Sequence, residues 1–143
     1  MTGSSKRILV VDDNKSLVMV MARILQKEGY IVSTAFDGSE GMEKAQSEKP
    51  DLIILDISMP GPDGYEVCRQ LQLDPNTSNI PVVFLSSKGN IDEKQGMAGV
   101  GLKEVKLAYS YGASDFLHKP ISSKELITKV KSILSLDNIL SSD

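Results

Sequence analysis

Ionisable and hydroxyl side chains stand at the ends of apolar runs in this chain. "RILVV" (7 to 11) runs into Asp12-Asp13, "DLIILD" (51 to 56) closes on Asp56, "IPVVFLSS" (80 to 87) closes on Ser86-Ser87, and "SDFLHK" (114 to 119) ends in Lys119 before Pro120. If these runs are parallel strands of one sheet, three carboxylates, a hydroxyl and an ammonium meet at one edge. Three carboxylates about 4 to 5 Å apart repel by roughly 3 to 4 kcal/mol per pair at an effective dielectric near 20. One ammonium does not balance them. A hard divalent cation with oxygen ligands does, and Mg²⁺ typically keeps several waters while using one or two carboxylates and phosphate oxygens. The pocket therefore reads as a carboxylate and magnesium site for a phosphoryl group, with Asp56 as the central carboxylate and nucleophile. Directly after it, Met59-Pro60-Gly61-Pro62 forms a stiff loop that continues neither strand nor helix.

The elements that must position these residues are legible in the hydrophobic pattern. The three longest apolar runs show no polar alternation, as expected of strands covered on both faces in a parallel sheet. "YIVSTA" (30 to 35) and "SDFLHK" are weaker strand candidates. Between them lie helical patterns. Lys15 to Glu28 carries Leu17, Val20, Met21, Ile24 and Leu25 at helical spacing and stops at Gly29. Ser39 to Ser47 is ended by Pro50, and Tyr65 to Leu73 by Asp74-Pro75. The last helix opens with Ser122 and Glu125 in capping-box spacing and sets Leu126, Ile127, Val130 and Leu134 on one face. This alternation predicts an α/β fold, a doubly wound five-stranded parallel sheet of flavodoxin-like type with helices on both faces. Ligands of such sheets bind beyond the carboxyl ends of the strands, where strand order reverses.

At 143 residues, 41% hydrophobic and 24% charged, the chain is sized and composed for one packed domain. We expect residues 7–136 to form it, with 1–6 an N-terminal tail and 137–143 a tail or the start of a linker. A net charge of -3 argues against nucleic-acid binding through the domain's own surface. The single cysteine, Cys68, excludes an internal disulfide and a cysteine metal cluster, which is compatible with a reducing compartment. No run is long enough to cross a membrane or to form a signal peptide, so a cytoplasmic location is expected.

"ILVVDDN", "LIILDISMPGPDGYE", "IPVVFLSS" and "GASDFLHKP", in this order and over nearly the whole chain, resemble the receiver domain of two-component response regulators. The resemblance implies that Asp56 accepts a phosphoryl group from a phosphohistidine on a histidine kinase or phosphotransfer protein. It implies direct Mg²⁺ ligation by Asp13, Asp56 and the backbone carbonyl of Ser58, with Asp12 acting through a bound water. Ser86 takes the hydroxyl position that turns toward the phosphoryl group, Lys119 pairs with a phosphoryl oxygen, and Phe116 takes the aromatic switch position. A cis peptide at Lys119-Pro120 and slow autodephosphorylation are implied as well. The signal would pass to a downstream output protein or domain through the face built from the fourth helix, the fifth strand and the last helix.

Three other readings fit these residues less well. A receiver-like module working without phosphorylation usually lacks one of the acidic, hydroxyl or lysine residues, all of which are present. An aspartate-nucleophile phosphohydrolase commonly has a second aspartate where Ser58 stands, and a flavodoxin has a hydroxyl-rich loop where Asp12-Asp13 stand.

The chain also departs from the family. Between Ser86 and Gly112 it is roughly ten residues longer than the family pattern, which is long for a compact domain. An enlarged loop after the fourth strand, then a helix from about Leu102 to Ser110, is expected; a surface insertion is preferred over a lid. On the first helix Leu17 to Ala22 is apolar around most of its circumference, and Val18, Met19 and Ala22 are expected to face outward as a docking patch for the phosphodonor. His118 is read as structural, Cys68 as a small buried side chain, and Ile133, Leu134, Leu136 and Ile139 as packing on the sheet in preference to a dimer contact.

Overall fold

The computed structural model describes residues 5–86 and 110–141, with side chains in the last helix as far as residue 135. Five strands, β1 (Arg7–Val11), β2 (Ile31–Ala35), β3 (Leu52–Asp56), β4 (Val82–Ser86) and β5 (Asp115–His118), pair in parallel in the order β2-β1-β3-β4-β5. Four described helices connect or follow them: α1 (Lys15–Lys27), α2 (Gly38–Glu48), α3 (Gly64–Leu73) and α4 (Ser123–Ser141). The chain first winds outward from β1 to β2, then crosses back to β3 on the other side of β1. The reversal point thus lies between β1 and β3, as a doubly wound sheet requires for a ligand crevice. The expected enlarged loop, and its helix up to residue 109, fall outside the described residues.

Alternate residues of each strand feed two cores. Ile8, Val10, Leu52, Ile54, Val83, Leu85 and Leu117 face α1 and α4 and pack with Val18, Met21, Leu25, Leu126, Val130 and Leu134. Leu9, Val11, Ile53, Leu55, Phe84 and Phe116 face the other way, toward α2 and α3, and meet Ala45, Val67, Cys68 and Leu71. Each fully buried aliphatic side chain contributes about 1.5–3 kcal/mol relative to exposure. β1, β3 and β4 are therefore held from both sides, and their carboxyl ends are fixed with them.

Helix starts are set by side-chain caps. Asn14 Oδ1 accepts from Leu17 N at 3.1 Å, Asp37 Oδ1 from Glu40 N at 2.8 Å, and Asp63 Oδ1 from Glu66 N at 3.0 Å. Ser122 Oγ accepts from Glu125 N at 3.2 Å, which makes half of the expected capping box.

The phase of α1 differs from the sequence reading. Val18 and Ala22 are buried with Met21 and Leu25, whereas Met19 and Val20 are 53% and 54% exposed. The buried stripe is 18, 21, 22 and 25. Of the expected 17, 20, 21, 24 and 25, Met21 and Leu25 are buried and Leu17 and Ile24 pack partly against the same core, while Val20 is exposed. The expected outward patch is corrected accordingly: Met19 and Val20 carry it, and Val18 and Ala22 do not. The physical reason is that Leu17 to Ala22 contains no polar residue to mark the wet face. Packing of α1 on the sheet and against α4 selects the phase instead.

Both edge strands meet lysines. Lys44 Nζ donates to Thr34 O on β2. On β5, Phe116 N donates to Asp115 Oδ1 at 2.8 Å, and Phe116 O accepts from Lys129 Nζ at 2.7 Å. Among the described residues no helix is long and apolar enough to cross a membrane.

Candidate functional site

The register of the sheet brings the acidic residues together. Val11 lies opposite Leu55, so Asp12 and Asp56 leave the sheet side by side. On the other side of β3, Asp56 lies opposite Leu85, and Ser86 opposite His118, which puts Lys119 one step beyond. Asp12, Asp56 and Ser86 are all buried, while Asp13 is exposed at the rim. Carboxylate oxygens of Asp12, Asp13 and Asp56 lie within 4.8 Å of one another.

Lys119 joins the two buried carboxylates, with Nζ 2.9 Å from Asp12 Oδ2 and 3.5 Å from Asp56 Oδ1. Its backbone is pinned by donation from Lys119 N to Ser86 O at 2.9 Å, and the Lys119-Pro120 peptide is cis, as expected. Backbone amides complete the carboxylate shell. Asn14 N donates to Asp12 Oδ1 at 3.0 Å, and Ser58 N to Asp56 Oδ1 at 3.4 Å.

These surroundings set the charge states. Burial, then the neighbouring Asp12 charge, pushes the Asp56 carboxyl up to about 7, against the opposing pull of Lys119 and the Ser58 amide. For Lys119 burial works against the ammonium, but hydrogen bonding and attraction from Asp12 and Asp56 outweigh it and hold the group above its ordinary range. A carboxylate that resists ionisation beside two others is a site short of positive charge. The donor set is all oxygen and hard, which fits Mg²⁺ better than a soft or borderline metal.

The response regulator receiver domain family model matches residues 8–131. This chain belongs to that family. The receiver domain is 39% identical over 135 residues to the alkaline phosphatase synthesis transcriptional regulatory protein PhoP of Bacillus subtilis, covering 94% of this chain and 51% of that protein. It is 43% identical over 130 residues to the response regulator PleD of Caulobacter vibrioides, covering 90% of this chain and 26% of PleD. The receiver domain thus spans about half of one curated relative and a quarter of the other. Among solved structures, the chemotaxis protein CheY4 of Vibrio cholerae superposes with a TM-score of 0.76 at 28% identity, over 91% of this chain and 99% of that one. A CheY-like receiver domain protein of Methanospirillum hungatei gives 0.80 at 27% identity, over 96% and 100%.

Two residues of the receiver domain's site escaped the sequence reading. Asn14 both caps α1 and binds Asp12, and an Asn just before an apolar helical run is a recognisable cap signal. Gly64 packs so close to the end of β3 that a Cβ there would strike Asp56 O; the Asp63-Gly64 pair reads from sequence only as a turn.

Phe116 is buried on the α3 side of the sheet, edge-on to the exposed His118 with ring centroids 5.2 Å apart. Among the described residues His118 joins no group of potential metal ligands. Cys68 is buried, as expected, and its Sγ donates to Tyr111 O at 3.2 Å.

Proposed function

We propose that this receiver domain is a phospho-accepting signalling switch in which Asp56 takes a phosphoryl group from a phosphohistidine. An Asp56 carboxylate oxygen attacks phosphorus, the bond from phosphorus to the imidazole nitrogen breaks, and the leaving imidazole keeps the electron pair. The product is an acyl phosphate on Asp56. Asp13, Asp56 and the Ser58 carbonyl would hold Mg²⁺ directly, with Asp12 through a water. The ion would spread positive charge over the equatorial phosphoryl oxygens, which phosphoryl transfer needs more than covalent help.

The remaining steps belong to the chain. Lys119, already between Asp12 and Asp56, swings its ammonium to a phosphoryl oxygen, and the Ser86 hydroxyl turns to another. These contacts exist only in the phosphorylated state, so they shift the population toward a second conformation. Phe116 reports that shift on the output face. The phosphodonor is a histidine kinase or phosphotransfer protein, and the reader of the output face is a downstream protein or domain. Residues 7–136 are taken as the switch, with 1–6 and 137–143 flanking it, working in the cytoplasm without a diffusible substrate of its own.

The observation that carries this reading is the buried Asp12 and Asp56 pair bridged by Lys119 at 2.9 and 3.5 Å. Intact mass after acetyl phosphate and Mg²⁺ tests it. One added phosphoryl group, lost without Mg²⁺ and in Asp56→Asn, is the expected result. No addition, together with no spectral response to beryllofluoride, would leave a phosphorylation-independent module as the better account.

A further inference from the structure

We infer that Gly64 is a positioning residue for the phosphoryl acceptor: by lacking a side chain, it lets the first turn of α3 seat against the backbone of Asp56 and hold that carboxylate in place. This rests on the reading of Asp56 as the acceptor.

The contact is between main chains. A Cβ on Gly64 would stand 2.3 Å from Asp56 O, 2.7 Å from Ile57 Cα and 3.0 Å from Asp56 C. None of these atoms belongs to a flexible side chain that could rotate away. Either α3 or the end of β3 would have to retreat by about 1 Å to reach ordinary van der Waals separation. The β3 end is not free to move alone, because Ile57 N donates to Leu85 O at 3.0 Å and the strand is buried throughout.

Gly64 also closes the loop that serves the site. Its amide donates to Ile57 O at 2.8 Å, so residues 57 to 64 form a closed excursion carrying Ser58 and Met59. Ser58 in turn donates its amide to Asp56 Oδ1. Asp63 fixes the same turn from the helix side by capping Glu66 N. A displacement at Gly64 therefore reaches both the Asp56 carboxylate and the Ser58 backbone, which are the groups meant to share one cation.

Other close glycines lack this reach. A Cβ on Gly41 would meet only side-chain atoms of Val11, at 3.0 Å and beyond. A Cβ on Gly38 would stand 2.5 Å from Pro62 O, in the same loop but at its far side from Asp56, whose own backbone it does not meet.

The test compares the wild type with Gly64→Ala, using Val67→Ala as a control that loosens α3 without touching Asp56. Two quantities are measured on the folded fraction: the dissociation constant for Mg²⁺ by calorimetry, and the dependence of phosphorylation rate on acetyl phosphate concentration. A misplacement of about 1 Å near a reacting group commonly costs on the order of 100-fold in rate. Gly64→Ala is expected to lower the limiting rate by about 10- to 100-fold and to weaken Mg²⁺ binding several-fold, while Val67→Ala changes neither beyond about twofold. Equal values in Gly64→Ala and wild type would overturn the inference and leave the acceptor reading intact. If the wild type accepts no phosphoryl group, that reading falls, and Mg²⁺ affinity alone decides; equal affinity, or no binding by either protein, overturns the inference as well. Should Gly64→Ala fail to fold, Asp63→Ala loosens the same seat by removing the cap, and unchanged Mg²⁺ affinity and rate in that variant would overturn it.

Discussion

Replacing Asp56 by Asn should stabilise the metal-free protein, and the effect should grow with pH. In the folded state burial and Asp12 push the Asp56 carboxyl from 3.8 up to about 7. The folded protein therefore holds that proton to higher pH than the unfolded chain does. Between these two values the unfolded state binds fewer protons, so wild-type stability falls as pH rises from about 4 to about 7. Roughly three pH units at about 1.4 kcal/mol each give a cost on the order of 4 kcal/mol at pH 8 and less than half that at pH 5. Asn keeps the shape of the side chain and the acceptor for the Ser58 amide but carries no charge. Urea unfolding in EDTA should thus find Asp56→Asn more stable than wild type by about 2–4 kcal/mol at pH 8, with the advantage shrinking by at least half at pH 5. If the folded acidic cluster holds Mg²⁺ as proposed, saturating Mg²⁺ should raise wild-type stability and narrow the gap, because the unfolded chain offers no such site. A variant less stable than wild type at pH 8, or a gap that does not change with pH, would refute the electrostatic account of the site.

Lys119→Met should act in the opposite direction. It leaves Asp12 and Asp56 without the cation between them and should cost about 3 kcal/mol at pH 8, less at pH 5, measured by the same unfolding; an unchanged stability would show that the bridge is idle. The α1 phase separates two neighbouring valines. Val20→Lys should alter stability by under about 0.5 kcal/mol, whereas Val18→Lys should unfold the domain at room temperature, and similar thermal melts for the two would contradict the observed packing. Burial pushes the Cys68 thiol from 9.0 up to about 11, so its thiolate fraction at neutral pH falls about 100-fold. Labelling with a disulfide reagent should accordingly be at least about 100-fold slower in native protein than in urea.

The parts of this molecule that were readable in the sequence are those in which chemistry and position coincide. Asp12, Asp56 and Lys119 each end an apolar run, and a parallel register converts that shared position into distances of a few ångströms. The strand limits shifted by no more than two residues because charged, proline and turn residues bound each short apolar run. On α1, Val18, Val20 and Ala22 were assigned to the wrong side because an all-apolar stretch from Leu17 to Ala22 carries no orientation signal until the sheet is present. Gly64 was unreadable for a different reason. Its role is the absence of an atom next to a main chain eight residues earlier, and residue type alone does not say what a missing Cβ would strike. Asn14 was the avoidable omission, since its cap position could be read from the sequence.

The lysines at the two sheet edges bear on how this protein can speak to others. Thr34 on β2 and both main-chain groups of Phe116 on β5 already have partners within the chain. A visiting strand would have to displace an ammonium before it could zip onto either edge at these points. Association by main-chain pairing would in any case be deaf to the state of Asp56, because a backbone ladder looks the same before and after phosphorylation. Where those groups are occupied, recognition passes to side chains on the faces, whose arrangement a change at the acidic cluster can alter. The edge lysines thus act as insulation at these two points: they obstruct a route along which contacts would form without regard to the signal.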